Sequence, residues 1–153
     1  EENPFATIQA GIDTASDGDT VLVAAGTYTE NITWPATNGI KLIGEDRETT
    51  IIDGNQQGSV IRFEQDLGGI IDTTTLIIDF TIQNGNAQEG WDYYGGGVFC
   101  NESSPTLTNV TIMNNSSSYG GGIACYLLSP SLTNVMITGN FAAQGSPFPE
   151  NEI

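Results

Sequence analysis

Two periods of apolar residues divide the chain. Near its start Phe5, Ile8 and Ile12 recur at helical spacing, behind Asn3 as a cap and Pro4 in the first turn. This predicts a short amphipathic helix within residues 1–17, stopped by the turn residues Ser16-Asp17-Gly18-Asp19. From Thr20 onward the period falls to two. Thr20-Val21-Leu22-Val23, Glu30-Asn31-Ile32-Thr33-Trp34, Ile40-Lys41-Leu42-Ile43, Thr50-Ile51-Ile52, Val60-Ile61-Arg62-Phe63 and residues 76–83 read as short strands. Polar turns such as Ala25-Gly26 and Thr37-Asn38-Gly39 separate them.

The pattern then repeats. The segment YGGGVFCNESSPTLTNVTIMNN, beginning at Tyr94, returns 25 residues later as YGGGIACYLLSPSLTNVMITGN, beginning at Tyr119. A fixed period of this size marks a solenoid, whose units bury their apolar faces only by stacking. Each repeat offers three strands: GGGVFC or GGGIAC, PTLTN or PSLTN, and VTIMN or VMITG. The expected fold is all-β: a parallel β-helix solenoid of about four three-stranded coils at 20–43, 50–83, 95–115 and 120–140, roughly 20 Å tall. The helix in 1–17 covers the upper end, and the coils fill 18–140. Residues 141–153 are a tail whose prolines cannot continue a ladder. Either Phe141 and Phe148 fold over the lower face as a cap, or that face stays open to another chain.

Leu107/Leu132, Val110/Val135 and Ile112/Ile137 are expected as inward ladders, with Asn109/Asn134 and Asn115/Asn140 stacking their amides at the turns. Cys100 and Cys125 share one repeat position. Strand alternation points them inward, and α-carbons about 4.8 Å apart allow either a buried thiol ladder or a disulfide.

Composition narrows the function. Three basic against nineteen acidic residues give a net charge of −16, which repels nucleic acid and anionic lipid. No apolar run is long enough for a membrane-spanning helix, so no membrane insertion is expected. The acidity leaves calcium as the one conceivable cofactor, although no EF-hand loop or calcium-binding nonapeptide is present. There is no histidine for acid–base or triad chemistry. Asn31, Asn101, Asn109, Asn114 and Asn115 match the glycosylation sequon, a pattern that arises by chance in so Thr- and Asn-rich a chain.

The stretch FATIQAGI from Phe5, followed by GDTVLV from Gly18 and GTYTE from Gly26, resembles the start of pectin-lyase-like right-handed parallel β-helices. The GGG(V/I)xC…SP(T/S)LTNV repeats resemble those of polymorphic outer-membrane and related secreted bacterial surface proteins. The resemblance spans residues 4–140 and implies a right-handed solenoid on an extracellular or cell-surface protein. It implies no single activity, since the fold carries lyases, esterases, adhesins and stalks. The enzyme branches need basic or carboxylate motifs that are missing here: Lys41, Arg47 and Arg62 are the whole basic stock, and the surroundings of Asp66, Asp72 and Asp79 lack the esterase motif.

The catalytic set is therefore expected to be empty, as is the metal set. The expected function is a noncatalytic structural or adhesive module, assembling with itself head-to-tail or meeting a surface glycan or protein. The alternative is a carbohydrate-binding or carbohydrate-active domain. It rests on the aromatic and polar set Trp91, Asp92, Tyr93, Tyr94, Phe99, Tyr119 and Tyr126, whose flat rings beside a carboxylate suit a sugar face or a protein contact. The same tyrosines would equally serve to roof the turns.

Overall fold

The structure is a computed structural model and describes residues 4–64, 70–88 and 94–144. Among them one helix precedes seventeen short strands. The helix is α1 (Ile8–Thr14). The first layer contains β1 (Thr20–Val23), β2 (Gly26–Thr29) and β3 (Ile32–Thr33); the second, β4 (Lys41–Gly44), β5 (Thr50–Asp53) and β6 (Ile61–Phe63). The third holds β7 (Leu76–Ile78), β8 (Thr81–Gln83), β9 (Asn86–Ala87) and β10 (Val98–Asn101). The fourth holds β11 (Thr106–Thr108), β12 (Thr111–Met113), β13 (Ser116–Ser117) and β14 (Ile123–Tyr126). The fifth holds β15 (Ser131–Thr133), β16 (Met136–Thr138) and β17 (Phe141–Ala142).

Each strand pairs in parallel with its counterpart one layer away, giving four sheets: β1-β4-β7-β11-β15, β2-β5-β8-β12-β16, β3-β6-β10-β14 and β9-β13-β17. The fold is a parallel β-solenoid. Its coil has three main strands, as the repeat implies, and from the third layer onward a two-residue fourth. The expected count of about four coils matches the sheet that carries the glycine triplets; the two longest sheets reach five layers.

Register turns sequence alternation into columns. Val21, Leu42, Ile77, Leu107 and Leu132 stack in one sheet. Tyr28, Ile52, Ile82, Ile112 and Ile137 stack in the second. Ile32, Ile61, Val98 and Ile123 stack in the third. The middle members of these columns are fully buried, and each such side chain contributes about 1.5–3 kcal/mol. Trp34 stacks on Phe63 with ring centroids 5.0 Å apart and widens the core beneath the first layer.

Three boundaries differ from the sequence reading. The helix starts at Ile8 rather than beside Asn3, which lies outside the described residues. Thr7 Oγ1 accepts the Ala10 N–H, and the Glu30 carboxylate accepts the Ile8 and Gln9 N–H groups, so the cap and its anchor sit later than the Asn-Pro signal suggests. Gly26, read as a turn, begins β2, because Tyr28 is the inward residue that pairs with Ile52. Residues 40–43 belong to the second layer, since β4 lies directly on β1.

α1 closes the upper end of the core with Ile8 and Ile12, both buried. The lower end differs. Leu132, Val135 and Ile137 are only partly covered, whereas Leu107, Val110 and Ile112 one layer above are sealed. The ladder also runs past Asn140: Phe141 and Ala142 pair with Ser116 and Ser117, and the Gln144 N–H reaches the Ser118 carbonyl. Phe141, expected either as lower cover or beside an open end, is 61% exposed. Phe148 lies outside the described residues.

Candidate functional site

The aromatic set is built by the turn preceding each glycine-triplet strand. Tyr94 and Tyr119 form a parallel bridge, and their rings stack with centroids 5.4 Å apart. Phe99 points outward from β10 as alternation requires, yet it is only 6% exposed. Tyr94 stacks on it at 5.6 Å, and the Arg62 guanidinium sits 5.2 Å from its ring centre, a cation–π geometry. Arg62 in turn pairs with Glu64. Phe99 is thus an outer-face residue packed beneath its neighbours. Alternation alone did not reveal this cover; the register of Arg62 with Phe99 carries the signal.

Tyr126 lies on the same outer face but in register with Asn101, while Ala124 is the partner of Phe99. At 36% it is the exposed ring of the described group. The Tyr119 hydroxyl donates to Gln144 Oε1, a contact that joins this turn to the residues after β17. Trp91, Asp92 and Tyr93 lie outside the described residues. The structure therefore brings Tyr94, Phe99 and Tyr119 into one stack and sets Tyr126 apart on β14.

Cys100 and Cys125 occupy one register position on adjacent strands and point into the core. Both are free thiols. The neighbouring Cys125 side chain and complete burial push the Cys100 thiol up. The Cys100 side chain draws Cys125 below its usual range, against its burial, and Ser129 acts in the same direction.

The turns form amide ladders. Asp79, Asn109 and Asn134 all adopt left-handed backbone, with φ of 63°, 54° and 52°, a region asparagine and aspartate tolerate better than most residues. Asn134 Nδ2 donates to Asn109 Oδ1, and Asn109 Nδ2 donates to Asp79 Oδ1. A second ladder lies inside: Asn115 Oδ1 accepts the Gly85 N–H, and Asn140 Nδ2 donates to the Ile112 carbonyl.

The glycine triplets explain the close layer contact. A Cβ built on Gly96 would lie 2.3 Å from the Ser116 carbonyl oxygen and 2.6 Å from that of Gly121. The Gly96 and Gly97 N–H groups donate to carbonyls of the triplet below, and the Gly95 N–H donates to the Tyr119 carbonyl. Beneath the second triplet is a groove of about 250 Å³ lined by Gly120, Gly122, Ile137, Asn140 and Ala142, among others. One layer up, the corresponding space is filled by residues 120–122 themselves.

Among the described residues no group of three or more acidic, cysteine or histidine side chains converges to hold a metal ion. No described helix is long and apolar enough to cross a membrane. No protein-family model, curated protein or solved structure matches the chain.

Proposed function

We propose that this solenoid is a noncatalytic structural or adhesive module of extracellular or cell-surface proteins, and that its lower face is an assembly surface. One observation carries the reading. The fifth layer presents Leu132, Val135, Ile137, Asn134 and Asn140 at the positions where the fourth presents Leu107, Val110, Ile112, Asn109 and Asn115. The upper set is covered by the next layer, while the lower set is half-covered or exposed. A surface that repeats an internal contact surface is matched to another coil of the same kind. The resemblance to pectin-lyase-like β-helices and to bacterial surface repeats supports the same context.

The unit seated there is a further coil, from a second copy in the self-assembling form. Head-to-tail filaments would require α1 to lift from the first layer, because it covers the end that a neighbour must approach. Electron microscopy and sedimentation across a concentration series test the proposal. Rods or discrete oligomers are expected, and strictly monomeric particles at high concentration would sink self-assembly. Glu30→Ala frees the helix N-terminus, so it lengthens head-to-tail assemblies.

A second reading, a carbohydrate-binding or carbohydrate-active domain, draws on the exposed Tyr126 beside Leu127 and Leu128, which are 65% and 42% exposed. Against it, Tyr94 and Phe99 already spend ring faces on other rings. Glycan-array binding that disappears in Trp91→Ala and Tyr126→Ala variants supports this reading. Polyuronate breakdown, with or without calcium, would make the domain catalytic.

A further inference from the structure

We infer that Cys100 and Cys125 form an oxidation site, a dithiol that a peroxide converts into a bridge between the third and fourth layers. The inference is independent of assembly at the lower face. It begins with register: the two residues are direct partners on neighbouring parallel strands. That spacing, about 4.8 Å between strands, falls inside the α-carbon range that a disulfide spans. Both side chains point from that shared position into the same core.

The two thiols are not equivalent. Cys100 has no exposed surface, while Cys125 retains 8%. Cys125 also lies next to exposed residues 126–129. It is therefore the thiol that an oxidant meets, and its Cys100 and Ser129 neighbours draw its pKa down toward the thiolate, the reactive form.

The chemistry follows the ordinary thiol ladder. The Cys125 thiolate attacks one peroxide oxygen, forming an S–O bond as the O–O bond breaks. Hydroxide leaves and takes a proton, and Cys125 becomes a sulfenic acid. The Cys100 sulfur then attacks Cys125 Sγ: the S–S bond forms, the S–O bond breaks, and the departing hydroxide takes the Cys100 proton as water. In sum two thiols and one peroxide give one disulfide and two waters.

The bridge is also expected to open readily. Paired residues on parallel strands hold their β-carbons further apart than a relaxed disulfide prefers, and a stretched bridge is more easily reduced. β14 is the terminal strand of its sheet among the described residues, so it can move toward β10 without breaking a strand ladder on its far side. The site would thus fasten and release the lower layers according to the surrounding oxidant.

The test uses the full chain, reduced, desalted and treated with hydrogen peroxide under native conditions. Intact mass should fall by two hydrogens, peptic peptides should join Cys100 to Cys125, and dithiothreitol should reverse both changes. The oxidised chain should melt several degrees higher. In Cys100→Ser, dimedone should trap a sulfenic acid on Cys125. In Cys125→Ser, Cys100 should resist peroxide until the chain unfolds. The inference is overturned if the folded wild type keeps both thiols, yields only intermolecular dimers, or oxidises Cys125 past the sulfenic stage, while the urea-unfolded chain forms the bridge. If the serine variants fold poorly by circular dichroism, the wild-type experiment decides alone.

Discussion

Asn140 Oδ1 accepts both the backbone N–H and the side-chain amide of Asn115, each at 3.0 Å. One oxygen thereby ties the turn of the fourth layer to that of the fifth. Asn115 is almost fully buried and also serves Gly85 and Ile82. Asn115→Ala strands those groups away from water and should cost about 2 kcal/mol in urea unfolding; Asn140→Ala, at the less covered layer, should cost about 1 kcal/mol. Equal losses at the two sites would contradict a graded ladder.

Val110 and Val135 make the same comparison in apolar terms. Val110→Asp puts a charge into a sealed stack and should abolish the cooperative unfolding transition. Val135→Asp should loosen only the fifth layer, seen as faster hydrogen exchange in residues 131–142. Unchanged hydrogen exchange across residues 131–142 in Val135→Asp would refute this register.

Gly96 and Gly121 sit where added volume meets backbone rather than a movable side chain. Alanine at either would place Cβ 2.3 Å from a carbonyl oxygen, so the layers must separate at a cost of about 1–3 kcal/mol. Gly18 is a useful contrast. It has open space around its Cβ position but a φ of +82°, so Gly18→Ala should cost about 1 kcal/mol through backbone strain alone.

Asp53 governs part of the acid response. Its limited burial raises the pKa, but hydrogen bonds from Gln83, the Asn55 N–H and Asn84 outweigh that and hold it below 3.8. A carboxylate with a depressed folded pKa stabilises the protein above its unfolded value and loses that contribution as pH falls through the folded one. The stability advantage of wild type over Asp53→Asn should therefore be full at neutral pH and fade below pH 3.8. Thermal melts of both proteins across an acid series would show it, and a constant difference would rule it out.

The columns were legible in the sequence wherever the period was clean. Thr106 to Ser131 spans 25 residues, and the ladder positions there are nearly identical between repeats. Higher up, the same column advances by 21, 35 and 30 residues: Thr20 to Lys41, Lys41 to Leu76, and Leu76 to Thr106. Those unequal loops hide the layer count from any search for a fixed period. The fourth sheet is silent for another reason. Ser116-Ser117 and Asn86-Ala87 are too short to show alternation, and backbone pairing rather than apolar burial defines them. Among the candidate site residues, outward direction was readable at Phe99 and Tyr126, but the cover over Phe99 depends on Arg62, a residue 37 positions earlier.

α1 makes the two ends of the molecule unequal, and that asymmetry bears on how such a chain can change over generations. The helix is fitted to one particular first layer through Glu30, Gln9 and the Thr33 carbonyl, so inserting a unit there would destroy its seat. At the other end a copied 25-residue unit meets a surface that its parent unit already fits. Among the described residues a duplicated unit would thus find a matching seat below the fifth layer, whereas one inserted above β1 would displace α1.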